Sequence, residues 1–392
     1  MTDDRRPPPA PARSALVVTV VHHPEDARIR HREIAALLAA GWSVTYAAPF
    51  AAHGLDGTAT PQESAEGLTR VDLPRATGRD RLPAGRAARA LLRARAAEHD
   101  VVLVHDPELL VAAAGLALDH LVWDVHEDPA GALAVKDWLP APLRRPVAGG
   151  WRRVERVAER RHHLLLAEHA YADRFAGSHP VVPNAVLVPE HVPDAGSGSD
   201  AHSGDRVVHV GNLTVARGSE LMLAVARLVA AGSGGSLTLD VVGPARDERS
   251  RRAMEQGGDE GVLRWHGFLP SQDALALVDG ALAGLSLLAD LPNYRGSMPT
   301  KVLEYLAHGV PAVTTPLPVA VELVEASGGG LVVPFDDAAS AAAAVLDLHR
   351  DPARAATMGR AGRELVRRRY DWASGGPDFV AALEAVAASR ES

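Results

Sequence analysis

Apolar residues along this chain fall into short continuous runs, separated by polar segments of helical period. Ala15 to Val21 (ALVVTVV) is almost wholly apolar and rich in β-branched residues, as expected of a strand buried on both faces of a parallel sheet. A polar turn, HHPEDARI, leads into a helical pattern from Arg30 to Ala40. Gly41 stands where a helix ends, and Ser43 to Ala48 forms the next strand. Asp100 to His105 (DVVLVH) and His120 to Val125 (HLVWDV) repeat the strand signature, with a helical stretch Glu108 to Leu118 between them. The rhythm is βαβ.

The segment Pro189 to Asp205, PEHVPDAGSGSDAHSGD, has no periodicity and reads as a linker. The rhythm then restarts, with strands predicted at Arg206–Val210, Ser236–Val242, Gly261–His266, Ala283–Leu288 and Val310–Thr314. Helices are predicted at Glu220–Ala230, Ala274–Gly280 and Thr300–His308, and a last one, Asp378–Ala388, follows when the second set of elements is used up. The pattern predicts an α/β chain of two doubly wound, Rossmann-like domains. A disordered tail spans 1–13, the first domain 14–188 is completed by a C-terminal helix in 372–392, the linker is 189–205, and the second domain is 206–371. Ligands of such sheets bind at the carboxyl ends of the strands, so a cleft between facing domains is the expected site.

Composition narrows the chemistry. Aromatics are only 4% of the residues, so Ala, Val and Leu have to fill the interior. With no cysteine, disulfides, thiolate nucleophiles and Cys-ligated metals are excluded. A formal net charge of −8 argues against nucleic acid as a partner. No signal-peptide core is visible in the N-terminal stretch and no apolar run approaches the roughly 20 residues that span a bilayer, so the expected location is cytoplasmic. The turns after the first strand of each half, HHPEDAR and GNLTVARG, lack GxGxxG, and GxxxxGK[ST] is absent, which disfavours dehydrogenases and P-loop enzymes.

The most informative stretch is NYRGSMPTKVLEYLAHGVPAVT, Asn293 to Thr314. Gly296-Ser297 gives a turn, Pro299 suits the first turn of a helix, and Gly309 closes it. A small-residue loop opening a helix offers backbone N–H groups and a positive dipole end to a diphosphate, and Lys301 adds a full charge. Glu304, one turn on, can accept both hydroxyls of a ribose. A plain Lys301–Glu304 surface pair is the other reading these residues allow.

SMPTKVLEYLAHGVPAVTT resembles the donor-binding signature of the retaining GT-B glycosyltransferases of family 4 (glycosyl transferases group 1). VGNLTVARGSELMLAVARL, RWHGFLPSQDALALVDGALAGLSLL, VHDPELL, WDVHEDPAG and HHPEDARIRHREIAALLAAGWSV resemble other parts of that family, over about residues 15–385. The resemblance implies two Rossmann-like domains facing each other across a cleft. It implies transfer of a sugar, with retention, from a nucleoside diphosphate donor; UDP is the first choice, with GDP or TDP behind it. It assigns the diphosphate to Arg217 and Lys301 with the amides of Ser297 and Met298, and the ribose to Glu304. Gly243 would lie bare beside the donor, Phe268 and Leu269 near the base, and His126 at the transferred sugar. The match has departures: Gly296 replaces a second Glu, Asn212 replaces an Arg, and HHPEDAR replaces a Gly-rich loop.

On the acceptor side the candidates are His23, Asp26, Arg28 and His105, with Asp26 equally readable as an N-cap. No cofactor and no metal are expected: Asp, Glu and His cluster at metal-ligand spacing nowhere in the sequence, and WDVHEDP, which holds carboxylates beside a His, lies at a strand end that alternates side-chain directions. Arg217, Lys301 and a helix N-terminus can do for a leaving diphosphate what a metal does. The partners expected are thus a nucleotide sugar and a small-molecule, natural-product acceptor; a cell-envelope or lipid-linked acceptor, a sugar-nucleotide 2-epimerase and a non-catalytic nucleotide-sugar sensor are the alternatives. The arginine-rich stretch Leu143 to His163 could meet a membrane surface, but the interspersed Glu155 and Glu159 favour a solvated helix.

Overall fold

The computed structural model describes residues 13–126, 128–130, 141–196 and 206–390. The tail at 1–12 and the linker residues 197–205 therefore lie outside the described residues. The chain divides into two compact units, residues 1–183 with 376–392, and residues 184–375.

The first unit is a six-stranded sheet of order β3-β2-β1-β4-β5-β6, with every pairing parallel. Its strands are β1 (Ser14–Val18), β2 (Ser43–Ala48), β3 (Leu68–Asp72), β4 (Val101–Val104), β5 (Leu121–Val125) and β6 (His163–Leu166). The second unit repeats the winding with β7 (Arg206–Val210), β8 (Thr238–Val242), β9 (Leu263–Gly267), β10 (Ala283–Ser286), β11 (Ala312–Thr314) and β12 (Gly330–Val332), in the order β12-β11-β10-β7-β8-β9. Counted within each unit, both sheets run 3-2-1-4-5-6. The crevice that takes ligands in such sheets opens where the order reverses, between β1 and β4 and between β7 and β10. These two fully wound parallel sheets are the α/β architecture that the hydrophobic pattern predicts.

Small aliphatic side chains fill both interiors. β1, β4 and β5 are apolar and buried along almost their whole length, and Trp123 is the largest fully buried side chain. Asp124 is the exception inside those strands, a fully buried carboxylate. In the second unit α-helices cover both faces of the sheet.

Several elements differ from expectation for local reasons. The helix predicted at Arg30–Ala40 opens as a π-helical turn, Ile29–Ile34, before the short α-helix α1 (Ala35–Ala39). The wide turn brings Glu33 N–H onto the Arg28 carbonyl at 2.9 Å and places both side chains in the interior. The helix predicted at Glu108–Leu118 is shorter, α2 (Pro107–Ala113). Gly115 takes φ +75° just beyond it, and Arg89 donates to the carbonyls of Ala112 and Ala114 at 2.7 Å each. The arginine-rich stretch is a 21-residue helix, α3 (Ala141–Arg161). The last helix, α6 (Trp372–Arg390), is longer than predicted and counts with the first unit from Gly376 onward. The described part of the 189–205 segment belongs to the second unit, where Arg363 Nη2 donates to the carbonyls of Pro189 and Glu190.

Candidate functional site

In the second unit a glycine follows β7 (Gly211) and β8 (Gly243), and β9 ends in one (Gly267). Gly243 N–H donates to Gly267 O at 2.6 Å, and Gly211 N–H to Val242 O at 2.9 Å. The strand ends press so close that a Cβ on Gly243, at φ +135°, would overlap the carbonyl oxygen of Gly211. The result is bare backbone at the carboxyl edge of the sheet, a surface that a phosphate can approach closely.

Three predicted residues gather at this edge. Arg217 closes the 3-10 turn Val215–Arg217, capped by Thr214 Oγ1, which accepts from Arg217 N–H at 3.1 Å; the turn leads into α4 (Ser219–Gly232). Lys301 lies in the first turn of α5 (Thr300–Ala307), and a Cβ on Gly211 would stand 3.4 Å from its Nζ. That Nζ is buried and has no hydrogen-bond partner among the described residues. Burial, with the nearby Arg217 guanidinium adding to it against the pull of Glu304, brings the Lys301 pKa down to about 7. Glu304, half-buried one turn along α5, is the carboxylate facing this ammonium. The surface-pair reading fails for Lys301, which is buried.

α5 is fixed to the sheet by Tyr305. Its hydroxyl accepts from Val210 N–H at 3.0 Å and donates to Leu285 O at 3.1 Å, and the ring leaves room for nothing larger than Gly284 beneath it. His209, fully buried at the end of β7, donates Nδ1–H to Leu285 O at 3.0 Å. Burial and the two cations hold His209 well below the ordinary histidine range, so it is neutral. Phe268, 53% exposed, follows Gly267, with Leu269 half-buried beside it. In the loop before α5, Ser297 N–H reaches Tyr294 O at 3.4 Å and its hydroxyl donates to Asn293 O at 2.9 Å. The side chain of Met298 packs on the core beneath α5.

The first unit carries a second cluster, at the carboxyl ends of β1, β4 and β5. The buried Asp124 carboxylate accepts from Arg28 Nε at 2.9 Å, from Arg28 Nη2 at 2.7 Å and from His126 Nδ1 at 2.9 Å. His105 Nδ1 lies 3.3 Å from Asp124 and its Nε2 3.4 Å from Glu33, both groups fully buried. Burial favours the neutral form of Asp124, but Arg28, His105 and His126 together hold it well below the carboxylate range. Burial and the adjacent Asp124 push Glu33 far up, and burial pushes His105 down. The interior of the network is thus one guanidinium and one carboxylate, with Glu33 and His105 neutral.

His126 points its other nitrogen outward from this support. Its Nε2 stands 3.0 Å from His22 Nε2, so one proton is shared between the two rings. His22 Nε2 is also 3.3 Å from Asp106 Oδ1, while Asp106 Oδ2 accepts from Thr19 Oγ1 at 2.9 Å and from the amides of Val20 (2.5 Å) and Val21 (3.1 Å). Asp26 caps the π-helical turn through the amides of Arg28 and Ile29, at 2.9 and 3.1 Å, and also lies 3.8 Å from His22 Nδ1. Of the two adjacent histidines, His22 joins the cluster. His23 instead accepts from Glu25 N–H at 3.0 Å and packs against the His53 ring, 4.2 Å between centroids.

The expectation that WDVHEDP scatters its carboxylates and histidine is corrected. Asp124 and His126 are two residues apart, which keeps them on one side of an extended chain, and β4 adds His105. His105, Asp124 and His126 offer ligand atoms within 4.8 Å of one another, the geometry of a cation site. Both oxygens of Asp124 are held by Arg28, so a metal ion there has to displace a buried guanidinium.

Sequence reasoning placed Arg28, His105 and His126 in this region but missed His22, Glu33, Asp106 and Asp124, and it missed His209 and Tyr305 in the second unit. The available signal for Asp124 was a charged residue inside the otherwise apolar run HLVWDV.

Two Rossmann-like units of identical winding, with candidate sites at their carboxyl edges, define the GT-B fold. Solved structures agree: sucrose-phosphate synthase from Thermosynechococcus elongatus aligns with a TM-score of 0.73 over 96% of this chain and 100% of that one, at 18% identity. HepE from Anabaena, in complex with UDP and glucose, aligns with a TM-score of 0.69 over 95% of this chain and 100% of its own, at 16% identity. Residues 204–351 match the family model described as Glycosyl transferases group 1. The chain is also 32% identical over 148 residues to a putative colanic acid biosynthesis glycosyltransferase, WcaL of Salmonella typhimurium. That match takes in 37% of this chain and 36% of the relative, so it spans about a third of the relative's length.

Proposed function

We propose that the chain is a glycosyltransferase that takes a sugar from a nucleoside diphosphate donor, UDP first and GDP or TDP behind it, and transfers it with retention. The observation that carries this reading is Lys301, a buried ammonium without a hydrogen-bond partner among the described residues, set beside Arg217 over a strand end bare of side chains. A diphosphate is the anion that such a pair of cations fits. Glu304 is positioned on the same helix to take the ribose hydroxyls, and the exposed Phe268 offers a face to the base. HepE, whose structure holds UDP, supports the choice of base. As the glycosidic bond to the diphosphate breaks, Arg217 and Lys301 stabilise the charge gathering on the leaving group, and the acceptor attacks from the same face. The buried network fixes His126 to serve the transferred sugar. A small natural product is the first acceptor reading; similarity to the colanic acid relative favours a cell-envelope polysaccharide as the second.

Calorimetric titration with UDP tests the donor site. Glu304→Gln loses charge-assisted bonds worth roughly 1.5–3 kcal/mol, so affinity is expected to fall about ten- to a hundredfold. An unchanged dissociation constant removes Glu304 from the site. His126→Ala is expected to cut turnover about a hundredfold while leaving UDP affinity as it was; full turnover with a lower melting temperature makes His126 a structural residue. A chelator is expected to leave turnover intact, and its abolition with rescue by magnesium or manganese refutes the metal-free reading. Incubation with donor alone separates the rival activities, since a 2-epimerase yields an epimerised donor and a sensor leaves it unhydrolysed.

A further inference from the structure

α3 has two acidic residues in its second half, and both face the protein. Glu155 is buried; it accepts from Arg152 Nη1 at 2.7 Å and pairs with Arg174. Glu159 accepts from the amides of Ala176 and Gly177 at 2.7 Å each and from His179 Nε2 at 3.2 Å. The charges that suggested a self-neutralising, solvated helix are therefore spent inward. Arg153, Arg156, Arg160 and Arg161 are exposed, and Arg153, Arg160 and Arg161 have no carboxylate partner among the described residues. Leu143 and Val157, each 50% exposed, share this outer face, because positions 143, 150, 157 and 161 recur along one stripe of a helix.

Beside that face, between α3 and the end of α2, lies a groove of about 610 Å³. Its walls are mostly apolar, with Leu110, Leu118, Val154 and Ala158 among them, and Val111, 59% exposed, stands on the rim. Arg153 and Arg161 flank it; Asp119, also at the edge, is bonded to His120 Nδ1 at 3.0 Å. Leu118 and Asp119 precede β5 and His162 precedes β6, so the groove lies at the amino ends of the strands, away from the histidine cluster.

We propose that this face docks on an anionic lipid bilayer, with a phospholipid acyl chain in the groove and its phosphate between Arg153 and Arg161. Charge complementarity carries the assignment: Arg153 and Arg161, without a carboxylate partner among the described residues, flank an open apolar slot in a chain whose net charge is −8, so the patch is a local reversal of sign. Nucleic acid fits less well, since among the described residues none of the exposed large hydrophobics of this face is an aromatic ring on which a base could stack.

The inference stands independently of the proposed activity and is tested without it. The full chain is co-sedimented with vesicles of phosphatidylcholine alone or with about one third phosphatidylglycerol. Binding to the anionic vesicles is expected to exceed that to the neutral ones by at least about tenfold and to fall at high salt. R153E/R161E and V157D are each expected to lose about tenfold in vesicle binding while keeping the wild-type circular dichroism and UDP affinity. If R153E/R161E fails to fold, R153Q/R161Q with V157D carries the test. Equal binding to both vesicles, no binding, full retention by V157D, or equally tight capture of single-stranded RNA overturns the proposal.

Discussion

Replacing Lys301 with methionine is expected to raise the melting temperature of the nucleotide-free protein and to remove nearly all of its affinity for UDP. A buried ammonium without a hydrogen-bond partner destabilises the fold that holds it, and an apolar side chain of similar length stabilises such a position by about 1–4 kcal/mol. For a unit of this size that corresponds to several degrees. The lost charge-assisted contacts to a diphosphate weaken UDP about a hundredfold, whereas uridine is little affected. Proton linkage gives an independent check. With the free-state pKa of Lys301 lowered to about 7 and its ordinary value near 10.4, the unfolded chain holds a proton that the folded one lacks between these limits. This group's contribution to stability therefore rises with pH across that window. A bound diphosphate favours the charged form, so above about pH 7 binding takes up a proton and weakens as pH rises. Titrations in buffers of different ionisation enthalpy read that uptake, and K301M is expected to show none. A lower melting temperature in K301M, or UDP affinity equal to wild type, ends this account of the site.

Asp124→Asn is expected to cost about 3–5 kcal/mol of unfolding free energy, because it takes from the buried Arg28 guanidinium the carboxylate that accepts from both Nε and Nη2. Denaturant titration measures it. R28M/D124L, which removes both charges, is expected to recover most of the loss, and the cycle through the single variants gives the coupling. A loss below about 1 kcal/mol for D124N shows that the network does not anchor the first unit.

The central strands were legible because they are buried on both faces and read as unbroken apolar runs; β2 was placed to the residue at Ser43–Ala48. The β1 run was read too long, since Thr19, Val20 and Val21 look like strand but turn aside to bind Asp106. The edge strands β3 and β6 were missed. β3 is half-exposed and mixed in composition, and β6 is four residues hidden behind RRHH. The helix Arg81–Arg95 carries Pro83 and Gly85 inside an arginine-rich pattern that masks its period. At the sites, a lysine and a glutamate one turn apart were visible in the sequence. The choice between His22 and His23 was not, because it depends on how the turn after β1 is folded by Asp106, 85 residues beyond Val21.

Between β7 and β10 the ladder pairs Ala283 with Val207 and Gly284 with Val208. Beyond it the Tyr305 hydroxyl, bonded at once to Val210 and Leu285, takes the place of the next rung. A side chain of α5 thus serves as part of the sheet, and the helix that presents Lys301 and Glu304 is assembled before any ligand arrives. A donor bound as proposed has little ordering entropy to spend on this helix.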